Sequence, residues 1–200
     1  MKDQELLERF VATFGAFDDL SASRNLVGQG DIGPLLVEPW NEWGFARWRP
    51  IAERTSRGAL SEVYRLIPGP FPQLCENLIL SYRWYQVDVG PLRLLSSLPP
   101  GLDGLTESIA KDKNLFTALS QAGFVQFGKG PDMDYDPVCF DLSNRRGDEC
   151  RIVKFDHEEI LQHDRLVDVA ELALTFRVLI ERLVVEGEQE LSRRSKETDT

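Results

Sequence analysis

Three runs decide the fold: Phe124-Val125-Gln126-Phe127, Pro137-Val138-Cys139-Phe140-Asp141-Leu142 and Arg151-Ile152-Val153-Lys154-Phe155. Each is short and rich in β-branched and aromatic residues. The loops between them carry Gly128, Gly130 and Gly147. Runs of this kind at this spacing read as an antiparallel meander. Alternation along the middle run predicts Val138, Phe140 and Leu142 facing a core, with Cys139 and Asp141 facing away.

Working outward, Asn114 to Gln121 reads as a short helix ended by Gly123. Tyr85, Val87 and Val89 alternate as a strand. After Gly90-Pro91 the apolar parity switches to Leu92 and Leu94, which a bulge or kink there would explain. Pro68-Gly69-Pro70-Phe71-Pro72 is a turn that opens a helix, with Pro72 at its first position, where a missing N–H costs nothing. Leu74, Leu78 and Tyr82 form one stripe of that helix, with Ile79 beside it. At the N-terminus Asp3 is the expected N-cap of a helix whose apolar face is Leu6, Leu7, Phe10, Val11 and Phe14, stopped by Gly15. Downstream, Val169, Leu172, Ala173, Phe176, Leu179, Ile180 and Leu183 share helical spacing and predict the closing helix. Gly187 and a fraying polar tail follow. Residues 18–60 have no clear period and are broken by Pro34, Pro39 and Pro50. Yet Trp40, Trp43, Phe45 and Trp48 give them more aromatic content than a disordered linker carries, so we read an ordered, irregular layer.

The chain has 200 residues, the size of one domain, with 42% hydrophobic and 28% charged residues. Its formal net charge of −10 disfavours a nucleic-acid backbone or an anionic membrane as partner and permits a basic protein. The charged start Met1-Lys2-Asp3-Gln4-Glu5 is followed by no apolar h-region, so no cleavable signal is expected. No apolar run reaches the roughly 18–20 residues of a membrane span. Cys75, Cys139 and Cys150 fit reduced thiols in the cytoplasm, the sharper alternative being a Cys139–Cys150 disulfide across a hairpin.

Four motifs fail their context. Gly28-Gln29-Gly30-Asp31-Ile32-Gly33 matches a dinucleotide loop, but Ser21 to Asn25 before it is no buried strand, and Pro34 and Pro39 leave no room for the helix. Asp132-Met133-Asp134-Tyr135-Asp136 begins like a calcium loop, yet Pro137 stands where glycine is needed and Ser143 where a bidentate Glu is needed. Cys139, Cys150, His157 and His163 supply zinc ligand types without the short cysteine spacing. His157 has carboxylate neighbours but no accompanying nucleophile motif. The Trp40–Trp48 run reads as packing, with a stacking platform for a sugar or peptide as the other reading. No catalytic residue, cofactor site or metal site is therefore expected.

The acid is placed unevenly. Between 131 and 164 lie Asp132, Asp134, Asp136, Asp141, Asp148, Glu149, Asp156, Glu158, Glu159 and Asp164, against Arg145, Arg146, Arg151 and Lys154. Alternate connections of a meander share one end of the sheet. Asp132, Asp134 and Asp136 should therefore lie near Asp156, Glu158 and Glu159, while Arg145 and Arg146 balance Asp148 and Glu149 at the other end. Such a rim serves either solubility or a basic partner.

Tyr135 to Leu142, followed by Ile152-Val153-Lys154-Phe155-Asp156-His157-Glu158-Glu159, resembles the C-terminal strands of the SUKH superfamily. That group includes fungal cell-wall-assembly regulators and many bacterial proteins. Val169-Ala170 and then Leu174-Thr175-Phe176 is similar to the family's alanine, serine-phenylalanine, leucine ending, with Thr175 where Ser is frequent. Ile67-Pro68 through Leu80-Ser81-Tyr82 resembles its first helix, which follows a leucine-proline turn. The resemblance covers roughly residues 60–185, and residues 15–60 have no counterpart. It implies an α+β fold, a mixed, largely antiparallel sheet packed against helices. On that basis 1–185 form one domain, with 1–60 as N-terminal helix and irregular extension, and 186–200 as polar tail. It also implies a non-catalytic binding protein. Many bacterial members are immunity proteins that block a toxin enzyme, commonly a basic nuclease; the alternative is a regulatory or scaffold protein binding a cellular partner. The family supplies no site residues to carry over. The rim residues Asp132, Asp134, Asp136, Asp156, Glu158 and Glu159 are the expected partner-binding set.

Overall fold

The three-strand meander forms, and three further strands extend it. The computed structural model describes residues 2–14, 32–42 and 46–198. In chain order come α1 (Asp3–Ala12), β1 (Ile51–Ala52), α2 (Leu60–Tyr64), α3 (Gln73–Ser81), β2 (Tyr82–Arg83), β3 (Val87–Val89) and β4 (Leu92–Leu94). Then follow α4 (Asp103–Ile109), α5 (Lys113–Gln121), β5 (Phe124–Lys129), β6 (Pro137–Asp141), β7 (Ile152–Phe155), α6 (His157–His163), β8 (Asp168–Ala173) and α7 (Phe176–Thr198). β3 to β8 form one sheet in sequence order, and β1 pairs with β2 separately. The fold is α+β. Among the described residues every strand pairing is antiparallel, so the sheet carries no parallel pair there.

The sheet is covered on both faces. Val125, Phe127, Val138, Phe140 and Ile152 share the main core with Leu6 and Phe10 of α1, Leu74 and Leu78 of α3, and Phe176, Leu179 and Leu183 of α7. The Phe127 and Phe140 rings stack at 4.2 Å, and Phe176 meets Phe140 edge-on at 5.3 Å. On the other face Cys139, Val153 and Phe155 pack with Leu115 and Leu119 of α5 and Ile160 of α6. This corrects the orientation expected for β6. Cys139 and Asp141 do face away from the main core, but into a second layer, and both are fully buried. A central strand covered on both faces loses the in/out polarity that a solvent face would impose. All three cysteines are free and buried, so no Cys139–Cys150 bridge forms.

Four local expectations change. Asp3 is not the N-cap of α1; Lys2 holds that position without a side-chain bond, and the Asp3 carboxylate pairs with Arg177 of α7. Pro72 is the N-cap of α3, one position before the helix. Gly90-Pro91 is no bulge: Val89 faces Leu92 across a two-residue hairpin turn, with Gly90 at a φ of 57° that glycine adopts without strain. The expected closing helix splits. Residues 168–173 are the edge strand β8, and α7 starts at Phe176, where the Thr175 hydroxyl accepts the Val178 N–H at 3.1 Å.

Nor does α7 end at Gly187. That glycine is buried, and a Cβ there would lie 2.6 Å from the Thr13 Cβ of the neighbouring segment, so its small size permits close packing. Glu190 then pairs with Arg193 and Arg194, and Arg193 with Glu197, a ladder that supports the polar turns expected to fray. In the aromatic stretch Trp48 is buried and Trp40 is 36% exposed; Trp43, Phe45, Gly15 and positions 28–31 of the glycine motif lie outside the described residues. Among the described residues, no helix is long and apolar enough to cross a membrane.

Candidate functional site

The β5–β6 loop and the β7–α6 turn converge at one end of the sheet, as the meander requires. The loop closes on itself. Gly130 N–H donates to the Asp136 carbonyl at 3.0 Å, and the Asp134 carboxylate accepts the Asp136 N–H at 2.9 Å. A Cβ on Gly130 would fall 1.9 Å from the Asp134 carboxyl carbon, so only glycine leaves that carboxylate its place. Across from it, Asp156 caps α6, accepting the Glu158 and Glu159 N–H groups at 2.9 and 3.1 Å. The two segments are tied by Asp136, whose Oδ1 accepts the His157 backbone N–H at 3.0 Å and lies 2.7 Å from the His157 Nδ1.

The expected set is brought together, but much of its charge is spent internally. Lys154 reaches out of β7 and pairs with Asp134, with Asp136 Oδ2 at 3.5 Å. Glu159 pairs with Arg165. Burial pushes the Asp136 carboxyl up; hydrogen bonds from His157 and the charge of Lys154 outweigh it and hold the group below the usual carboxylate range. Burial lowers Lys154, and its two aspartates more than restore it, leaving it raised. Asp132 stands at a positive φ of 56°, and its carbonyl accepts from Arg93 at 3.4 Å. Glu158 is exposed on α6. The sequence reading missed Lys154 as the counter-ion, although a lone lysine in an apolar run was the signal.

Tyr135 continues the rim. Its ring meets His157 edge-on at 5.9 Å, and Lys129 Nζ lies 4.7 Å above its centre. One ligand atom from each of Asp136, Asp156 and His157 lies within 4.8 Å of the others. Asp136 Oδ1 and Asp156 Oδ1 already accept backbone N–H groups, and Asp136 Oδ2 lies 3.5 Å from Lys154 Nζ, so the hydrogen bonds of the rim account for the closeness of these groups without a cation. Among the described residues Cys139 and Cys150 join no such group with His157 or His163. No described serine, threonine or cysteine hydrogen-bonds the His157 ring.

The opposite end of β6 holds a cluster that sequence reasoning did not find. Asp141, with no exposed surface, accepts the Ser143 hydroxyl at 2.7 Å, the Asn144 side-chain amide at 2.9 Å and Arg151 Nε at 2.7 Å. Burial pushes its carboxyl up, and the bonds from Asn144, Ser143 and Arg151 bring it below the usual range. The motif Asp141-x-Ser143-Asn144 was the available signal, because such a carboxylate caps the turn that follows it. Nearby, Arg145 pairs with Asp148, and Glu149 accepts the Phe176 N–H at 3.1 Å. No family model matches the chain, and no match was found among curated proteins or solved structures.

Proposed function

We propose that the chain is a non-catalytic, SUKH-like protein-binding domain of the immunity type, acting in the cytoplasm. It blocks a toxin enzyme by covering a basic surface, a basic nuclease being the expected class. One observation carries the reading: Asp136 and His157, from separate acidic stretches, are joined by backbone and side-chain contacts. That contact gathers Asp132, Asp134, Asp136, Asp156, Glu158 and Glu159 at one end of the sheet. An acidic end speeds encounter with a basic partner through long-range attraction that salt weakens.

The test is a pull-down from the native cell with the full chain as bait, followed by assay of the captured protein. A captured hydrolase that loses activity with equimolar chain supports the reading; one that stays active in the complex overturns it. A second reading is a regulatory or scaffold protein of the same fold with a cellular partner. It is favoured by Trp40, which is 36% exposed while Trp48 packs inside. Capture that Trp40→Ala abolishes, of a protein with no enzymatic activity, is its expected signature.

A further inference from the structure

The outer edge of the sheet joins two properties that the acidic rim separates. Among the described residues β8 pairs only with β7, and no strand lies along its other side. Along it and its flanks Val167, Val169 and Leu174 are 42%, 51% and 70% exposed. Scattered exposed apolar residues are ordinary, but three within eight positions of an edge strand are not scattered. They sit in acid: between 156 and 174 there are six carboxylates, with Arg165 as the only lysine or arginine. Arg151, the residue before β7, reaches this surface: its Nε binds buried Asp141 and its Nη1 lies 3.6 Å from Asp168 and 3.8 Å from Glu171, so one guanidinium is shared by three carboxylates and the surface stays acidic.

The register of β8 decides how this edge is used. Lys154 and Phe155 face Ala170 and Asp168, so Val169 is an extra residue. Ile152 and Val153 face Ala173 and Glu171, so Leu172 is another. Two bulges in six residues bend and twist an edge and spoil it as a template for a further strand. A second copy of this chain is disfavoured as occupant as well, because it would bring the same acidic surface against itself.

Resting on the reading of the chain as a binder of a basic protein, we infer that residues 164–174 are the centre of its contact. The occupant is a protein surface whose lysines and arginines surround apolar side chains, docked through side chains and not by strand addition. Val167, Val169 and Leu174 supply the apolar contact, while Asp164, Asp168 and Glu171 select the charge of what surrounds it.

The test presents the full chain to a displayed library of random dodecapeptides, and synthesises the peptides selected. The expected peptides interleave Lys or Arg with apolar residues. They bind the variant carrying Val167→Ser, Val169→Ser and Leu174→Ser about tenfold more weakly, and bind Val185→Ser, on the exposed face of α7, unchanged. Val169→Lys alone gives the same loss through repulsion, so a triple variant that fails to fold leaves the test intact. An empty selection, uncharged or acidic peptides, or peptides indifferent to the edge variants overturn the inference. So does a dimer, seen by sedimentation, that Val169→Lys dissociates. The occluding role fails separately, when the captured enzyme stays active.

Discussion

At one end of β6, Asp141 is wholly buried and its carboxylate is saturated by a hydroxyl, an amide and a guanidinium. At the other end, five and seven residues away, Asp136 and Asp134 keep partial exposure and share one lysine, and Asp136 also meets one histidine. A charge count along the sequence treats these aspartates alike. Their environments do not, because a buried carboxylate without partners costs far more than a half-solvated one. The first cluster holds the fold together, and the second is a surface whose net charge is smaller than its composition suggests.

The largest effect that separates the two ends is removal of the buried group. Asp141→Ala leaves Ser143, Asn144 and Arg151 without their acceptor. The expected loss is about 2–4 kcal/mol in urea unfolding, softened because Arg151 reaches solvent. Asp134→Ala, whose partner Lys154 keeps access to Asp136, should lose no more than about 1 kcal/mol. Equal losses would erase the contrast between the ends.

Acid sharpens the same contrast. Asp141 and Asp136 both titrate below the ordinary carboxylate range in the folded chain. A lowered folded value means that their stabilisation is whole above the unfolded value of about 3.9 and is lost as pH falls through the folded value. Glu149 pulls the other way, since burial raises it. Stability should therefore fall below about pH 4. The deficit of Asp141→Asn relative to the parent should be full at neutral pH and shrink as the medium acidifies. A deficit constant across that range would mean that Asp141 acts by shape and not by charge.

Two glycines offer a third comparison. Gly123, at the Asp141 end, has a φ of 84°, and a Cβ there would lie 2.8 Å from the Ser143 Cβ. Gly123→Ala meets both backbone strain and a clash, with an expected cost of about 1–3 kcal/mol. The atoms nearest a Cβ at Gly130 all belong to the Asp134 carboxylate, the movable end of a side chain, which Gly130→Ala would displace. Its cost should be about 1 kcal/mol, and its signature is the loss of the Lys154 contact. Thermal unfolding of the two variants side by side checks the order.

Legibility followed the same division. The meander was readable because its three runs are apolar, short and punctuated by glycine, and it placed Asp134 and Glu158 at one end. β8 was not, because the extra residues Val169 and Leu172 break the two-residue period. Those same two residues fall at helical spacing with Ala173 and Phe176, which mimics the face of a helix. Gly90-Pro91 misled because a tight turn and a bulge both switch parity. Neutralisation of the rim was invisible for a different reason: Lys154 meets Asp134 and Asp136 only through strand register, which no local pattern encodes. Asp141 reads as outward-facing because alternation shows which face a residue is on, not what covers that face.

The smallest expected effect tests the rim as a surface. Glu158 is exposed in the first turn of α6, where no described side chain pairs with it and the helix dipole contributes at most a few tenths of a kcal/mol. Glu158→Gln should leave unfolding within about 0.5 kcal/mol of the parent. Its effect belongs to encounter: association with the captured partner should slow by about twofold at low salt, and the difference should vanish when salt shortens the screening length to a few ångströms. Asp134→Asn should slow association too, but with a stability cost, because it also releases Lys154. If stopped-flow rates show Glu158→Gln unchanged at every salt concentration while Asp134→Asn slows, the paired aspartates act through loop geometry and long-range steering is absent. If both slow alike and only Asp134→Asn loses stability, one end of the sheet carries charge for a partner while Asp141, at the other, carries it for the fold.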